Sequence, residues 1–193
     1  MQKPKLQTVY QETVLPELIK EKGYKNALQA PRLEKVVLNT GVSASLDKAA
    51  VEEAAKDLGS IAGQKAVITK ARKSISNFKL REGMPIGAKV TLRGALMWDF
   101  VYRAVNIALP NIRDFRGVPG TLDGNGNYTL GISDHTIFPE ISSTDGSRRQ
   151  MGLDITFVTS ASTDEDGYDL LRRLGMPFRK KSTSEGSENQ AAA

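Results

Sequence analysis

Eight cations crowd into residues 65–93 of this 193-residue chain: Lys65, Lys70, Arg72, Lys73, Lys79, Arg81, Lys89 and Arg93. They meet one acid, Glu82, so the stretch carries a formal +7 while the whole chain carries only +5. The chemistry open to such a block is neutralisation of a polyanion, in which ammonium and guanidinium groups replace phosphate counterions. The stretch does not read as a disordered basic arm. Residues 65–70 and 89–93 look like strands, and Ile75, Phe78, Leu80, Met84 and Ile86 lie between them. Charge presented on a folded element suits shaped RNA better than indiscriminate coating.

Residues for catalysis are missing. The chain has no cysteine, which removes disulfides, thiolate chemistry and cysteine zinc sites. Its one histidine, His135, lies in a polar stretch and reads as a surface residue. No GxxxxGK[ST] phosphate loop exists, and the glycines after Asp123 have no helix behind them to make a dinucleotide site. Asp164, Glu165 and Asp166 read as a helix start rather than an acid–base pair. No metal or cofactor is expected. No apolar run approaches the ~20 residues of a membrane span, and no secretory leader is visible, so the expected location is the cytoplasm. A membrane-surface protein would need a basic amphipathic helix, whereas these cations fall on strands and a loop. The alternative use of the charge is a non-specific nucleic-acid or anionic-surface binding module.

The elements that must position the cations follow from periodicity. Leu6, Val9, Tyr10, Val14, Leu15, Leu18 and Ile19 recur at helical spacing, predicting a helix over 5–20 that Pro16 bends or breaks. Residues 33–39 alternate, with Val36 and Leu38 on one face and Lys35, Val37 and Asn39 on the other. Ser45 or Asp47 caps a helix running to about residue 58, where Gly59 and Gly63 act as stops. In 89–93, Val90 and Leu92 point inward while Lys89, Thr91 and Arg93 point outward. The 71–88 connection is long for a hairpin, so it reads as functional. Within it, Ile75 and Phe78 are expected to pack the loop onto its own domain. Residues 95–109 form the strongest helix, with Leu96, Met97, Phe100, Val101, Ala104, Val105 and Ala108 as its apolar stripe. Residues 111–127 read as loop, 128–132 and 153–160 as strands, 136–141 as an extended piece, and 142–150 as polar and mobile. Thr163 caps a last helix over 164–174. Residues 1–116 are net +9 and 117–193 net −4, so a polyanion surface belongs to the first part.

Several long motifs are recognisable together. GQKAVITKARKSISNFKLREGMPIGAKVTLRG, VVLNTGV, NIALPNIRDFRG and LGMPF occur in one order between about Leu6 and Phe178. The chain resembles the bacterial-type family of ribosomal protein five of the large subunit. It departs at Thr40, where a larger apolar residue is expected, and at Ala66, often proline in the family. The resemblance implies an α+β fold, a mostly antiparallel sheet of about five strands with helices on one face and a long basic β-hairpin loop. It implies a single RNA-binding domain over 1–179; the 180–193 tail is outside the resemblance and, with no apolar period, reads as disordered and polar. The resemblance implies no catalysis and no cofactor.

The implied partners are 5S rRNA in the central protuberance, 23S rRNA, other 5S-associated large-subunit proteins, peptidyl-site tRNA and small-subunit ribosomal protein thirteen. Family positions carry 5S rRNA contacts onto Asn39, Gln64, Thr91 and Arg93, with Lys35 and Lys89 adding phosphate contacts. The tRNA-contacting loop holds Arg72, Lys73, Ser74, Asn77, Lys79, Arg81 and Met84. The inter-subunit contact falls within 111–150, with Arg113, Asp114 and Ser143 as candidates.

Overall fold

The structure, a computed structural model, describes residues 3–43, 48–141 and 150–179. Five strands alternate apolar and polar residues and pair into one antiparallel sheet. These are β1 (Leu33–Gly41), β2 (Val67–Lys70), β3 (Pro85–Leu92), β4 (Tyr128–Ile132) and β5 (Leu153–Thr159), in the order β2-β3-β1-β5-β4. Strand side chains alternate between faces, so a fixed register sends one whole set inward. Across four strands the inward rows are Tyr128, Phe157, Val36 and Leu92, then Leu130, Ile155, Leu38 and Val90. All eight are buried. Among the described residues the helices cover this face alone, as expected for the α+β class, and the opposite face stays open. Thr40, the departure from the family pattern, is also buried; its hydroxyl donates to the Gly152 carbonyl at 2.8 Å, which removes the cost of placing a polar side chain there.

Three expectations for the helices change. Pro16 does not end the first one. Helix α1 (Lys5–Val9), a π turn (Tyr10–Val14) and α2 (Leu15–Lys22) run on without interruption. The Leu15 amide already reaches back to the Tyr10 carbonyl, so the ladder is shifted where the proline, lacking an N–H, enters at the start of α2. Gly23 then closes α2 with φ of 67°. Helix α3 (Lys48–Ala62) passes through Gly59, which is held inside the helix, and stops only at Gly63, also φ 67°. Ser45 and Asp47 lie outside the described residues.

Helix α4 (Gly94–Arg103) continues as a π turn, Ala104–Ala108. Its buried stripe holds Met97, Phe100, Val101, Ala104, Val105 and Ala108, but Leu96 is 44% exposed. Trp98 is buried in its stead. The reason is packing on the flank: Tyr10 packs against Trp98 with tilted rings, centroids 5.5 Å apart, so α4 is covered on that side.

The 136–141 segment is not extended. It forms a 3-10 turn (His135–Ile137) capped by the Asp134 carboxylate, which accepts from the Thr136 amide at 2.9 Å. Further turns bury Phe138 and Ile141. The cap rotates His135 inward, so the expectation of a surface histidine is wrong: it is 3% exposed. The Met151 amide donates to Nδ1 at 3.4 Å, and Nε2 lies 3.6 Å from the buried Asp57 carboxylate.

Helix α5 (Asp164–Arg173) begins as expected, with the Thr163 hydroxyl accepting from the Asp166 amide. It is tied to α2 by Lys22–Asp166 at 3.0 Å and by Arg173 to Glu17 and Glu21. Burial costs the Asp166 carboxylate, yet bonds from Thr163 and Lys22 outweigh that and hold it below the usual range. Tyr128, on the edge strand β4, is fully buried, its hydroxyl donating to the Pro119 carbonyl at 2.7 Å, and burial pushes its pKa up to about 12. Among the described residues no helix is long and apolar enough to cross a membrane. The 180–193 tail lies outside the described residues.

Candidate nucleic-acid interface

The open face is built from the residues that the core pattern leaves over. In register, one row reads Gly131, Asp154, Asn39, Lys89 and Val67 across all five strands. The next reads Thr129, Thr156, Val37 and Thr91. At ~4.8 Å per strand the first row spans about 19 Å. Asn39 and Lys89 are direct cross-strand neighbours and both are exposed. Thr91 stands one row further along β3, half-buried beside Val37. Arg93 is exposed just past β3, in extended backbone at the N-cap of α4. Lys35 lies at the same end of β1, opposite Val158 and next to a bulge.

Gln64 is not on the sheet. It is exposed in the α3–β2 turn and lines a groove of about 510 Å³ between α3 and β2, with Glu52, Lys56 and Lys65. The β2–β3 register, Val67 opposite Lys89, carries the chain before β2 toward the Thr91–Arg93 end of β3. Five candidates therefore share one face, and the sixth flanks its edge.

Sequence reasoning missed the β5 and β4 share of this surface, namely Asp154, Thr156 and Thr129. The Thr129 and Thr156 hydroxyls lie 3.1 Å apart. The signal was present in the alternation of 128–132 and 153–160. Only the strand order, which seats β1 between β3 and β5, shows that these faces are continuous.

The 71–88 loop is shorter than its sequence suggests. β3 begins at Pro85 and pairs to Lys70, so the arm is residues 71–84. It is a small folded hairpin. Ile75 and Leu80 exchange both backbone bonds at 3.0 Å, the Ser74 hydroxyl accepts from the Glu82 amide at 3.0 Å, and Met84 sulfur accepts from the Arg81 amide at 3.2 Å. Lys79 turns the tip in the left-handed region, φ 53°. Arg72, Lys73, Asn77, Lys79 and Arg81 are exposed, as is Ser74. Ile75 and Phe78 do not pack on the domain: they are 44% and 67% exposed. Backbone bonds hold the arm instead, which frees its apolar tip for a partner.

Arg113 and Asp114 are exposed on the turn after the Ala104–Ala108 segment, Asp114 with φ of 56°. Ser143 lies outside the described residues.

The glycine-rich 124–127 turn holds no phosphate site. Its amides are already taken: Gly124 and Gly126 donate to the Asp164 carboxylate at 2.9–3.1 Å, and Asn125 and Asn127 to Asp123 at 2.9 Å. Bonds from the Asn127 side chain and those amides hold the Asp123 carboxyl below its usual range. Among the described residues no group of three or more His, Asp or Glu could hold a metal.

Comparison with known proteins supplies the family to which this open sheet face and basic arm belong. Residues 26–81 match the family described as ribosomal protein L5, and residues 85–178 match the model of that family's C-terminus. The chain belongs to the ribosomal protein L5 family. It is similar to the large ribosomal subunit protein uL5 of Kosmotoga olearia, 53% identical over 91% of this chain and 96% of that one. The uL5 of Mesoplasma florum is 53% identical over 92% and 99% of the two chains, and that of Protochlamydia amoebophila 56% over 91% and 95%. As an L5-family member the chain is a structural, rRNA-binding protein of the translation apparatus and not an enzyme.

Proposed function

We propose that this chain is a structural constituent of the cytoplasmic large ribosomal subunit that binds 5S rRNA through the open sheet face and helps attach it in the central protuberance. The observation that carries this is the shared face of Asn39, Lys89, Thr91, Lys35 and Arg93, all left outside the core by one register. Arg93 offers a planar fork to phosphate or a base edge, Asn39 and Gln64 donate and accept, and Lys35 and Lys89 meet phosphates. The 71–84 arm contacts peptidyl-site tRNA: its cations address backbone without reading sequence, as a changing tRNA requires. Its large exposed side chains, Phe78 at 67% and Ile75 at 44%, support a role in contact. The turn bearing Arg113 and Asp114 serves the bridge to small-subunit ribosomal protein thirteen, and 23S rRNA with the other 5S-associated proteins completes the setting. The domain itself spans 1–179.

Competition tests the reading. Labelled 5S rRNA bound to the full chain is challenged with tRNA, duplex DNA and anionic vesicles at moderate salt. Displacement by unlabelled 5S rRNA alone is the expected result. Equal displacement by all four competitors would reduce the protein to a non-specific anion binder.

A further inference from the structure

We propose that Asp154, together with Asn39, reads the Watson–Crick edge of an unpaired guanine. The inference rests on the open face being an RNA surface, and it assigns a base-reading role to a carboxylate there.

Asp154 is exposed near the middle of the open face, directly opposite Asn39 on β1 and Gly131 on β4. Its carboxylate leans over Gly131: a methyl carbon built on that glycine would lie 3.7 Å from Oδ1. No side chain rises on that flank, so the carboxylate stands over bare backbone. Other aspartates near this end of the fold are engaged. Asp164 and Asp123 take loop amides, Asp134 caps a turn, and Asp166 pairs with Lys22. Among the described residues Asp154 takes no side-chain hydrogen bond and has no cation in ion-pair reach.

A bare carboxylate repels phosphate, so on a polyanion surface it needs a donor from the ligand. Nucleobases supply one, and they differ. Guanine presents N1–H and N2–H side by side, matching the two oxygens of a carboxylate in a bidentate bond. Adenine and cytosine set one amino donor beside a ring-nitrogen lone pair that repels the second oxygen. Uracil has a single N–H between two carbonyls. In a duplex the guanine edge is occupied by cytosine, so the nucleotide must be unpaired. Guanine O6 lies next to N1–H, and Asn39, about 5 Å away across the strand pair, has an amide to donate to it. The pair covers all three groups of the edge.

The test is kethoxal probing, which modifies N1 and N2 of unpaired guanines, on bacterial 5S rRNA saturated with full-length protein. The wild-type chain is expected to protect a guanine that Asp154→Ala and the isosteric Asp154→Asn leave reactive, both variants being folded by circular dichroism. Replacing that guanine with adenine should weaken wild-type binding roughly tenfold to a hundredfold. It should change Asp154→Ala binding little, the signature of a coupled pair. Tight 5S rRNA binding with an unchanged protection pattern in both variants overturns this inference and leaves the RNA surface standing. Tighter binding by Asp154→Ala with no guanine-specific change also overturns it, showing the carboxylate to be merely repulsive. Absence of wild-type binding to 5S rRNA removes the surface itself and this inference with it.

Discussion

The open sheet face and the 71–84 arm are both basic, but they are supported in opposite ways. The face is the back of the core: Asn39 and Lys89 stand on strands whose alternate residues, Leu38 and Val90, are buried. The arm is buried only at its base, at Ala71. Its order comes from the Ile75–Leu80 pair, the Ser74–Glu82 bond and a left-handed turn at Lys79. A surface backed by packing keeps side chains at fixed spacing, which suits one RNA of fixed shape. A hairpin held by its own exposed bonds opens at lower free energy and adapts to a ligand that is exchanged.

The largest effect that sharpens this contrast lies beneath the face. Phe157→Ala should cost about 3–5 kcal/mol of stability in urea unfolding, because it empties the layer under Val36 and Tyr128. Its neighbour Thr156→Ala, on the open side, should stay within about 0.5 kcal/mol. Similar losses at both would mean that the open face is packed too. Next is Arg93→Ala, expected to weaken 5S rRNA binding by about 1–3 kcal/mol in filter binding; an unchanged affinity removes Arg93 from the surface.

The arm responds differently. Lys79→Gly relieves a left-handed backbone that costs a non-glycine residue about 1–2 kcal/mol, so hydrogen exchange at the Leu80 amide should slow. Faster exchange would show that the lysine side chain itself holds the tip. The smallest effect is in salt dependence. Lys89→Ala should lower the log–log salt slope of 5S rRNA binding by about 1, whereas Arg72→Ala should leave it unchanged. A reduced slope for Arg72→Ala would merge the two regions into one site.

Much of the face was legible in sequence, since period-two alternation separates Val36 and Leu38 from Lys35 and Asn39 without knowledge of partners. What escaped depends on which strands become neighbours. Asp154 and Asn39 are 115 positions apart and meet only through the β1–β5 pairing. The arm was overestimated because Pro85 and Gly87 are residue types common in loops. They sit in β3 instead: Pro85 opens the strand, and a side chain at Gly87 would lie 2.3 Å from the Thr40 carbonyl oxygen. Phe78 and Ile75 were placed on the domain because apolar side chains usually find cover; the Ile75–Leu80 backbone pair makes cover unnecessary. His135 was read as surface from its polar neighbours, and the Asp134 cap turned it inward.

The division between face and arm is tested most directly by excising the arm. Residues 73–81 are replaced by an Asn-Gly turn, which leaves Ala71 to pair with Met84 and β3 intact. The shortened chain is then measured for 5S rRNA affinity, and for retention of peptidyl-site tRNA once assembled into ribosomes. Nearly unchanged 5S rRNA affinity with faster loss of tRNA is the predicted result. Abolished 5S rRNA binding by a chain that still unfolds cooperatively would place the arm in the 5S site and contradict the division.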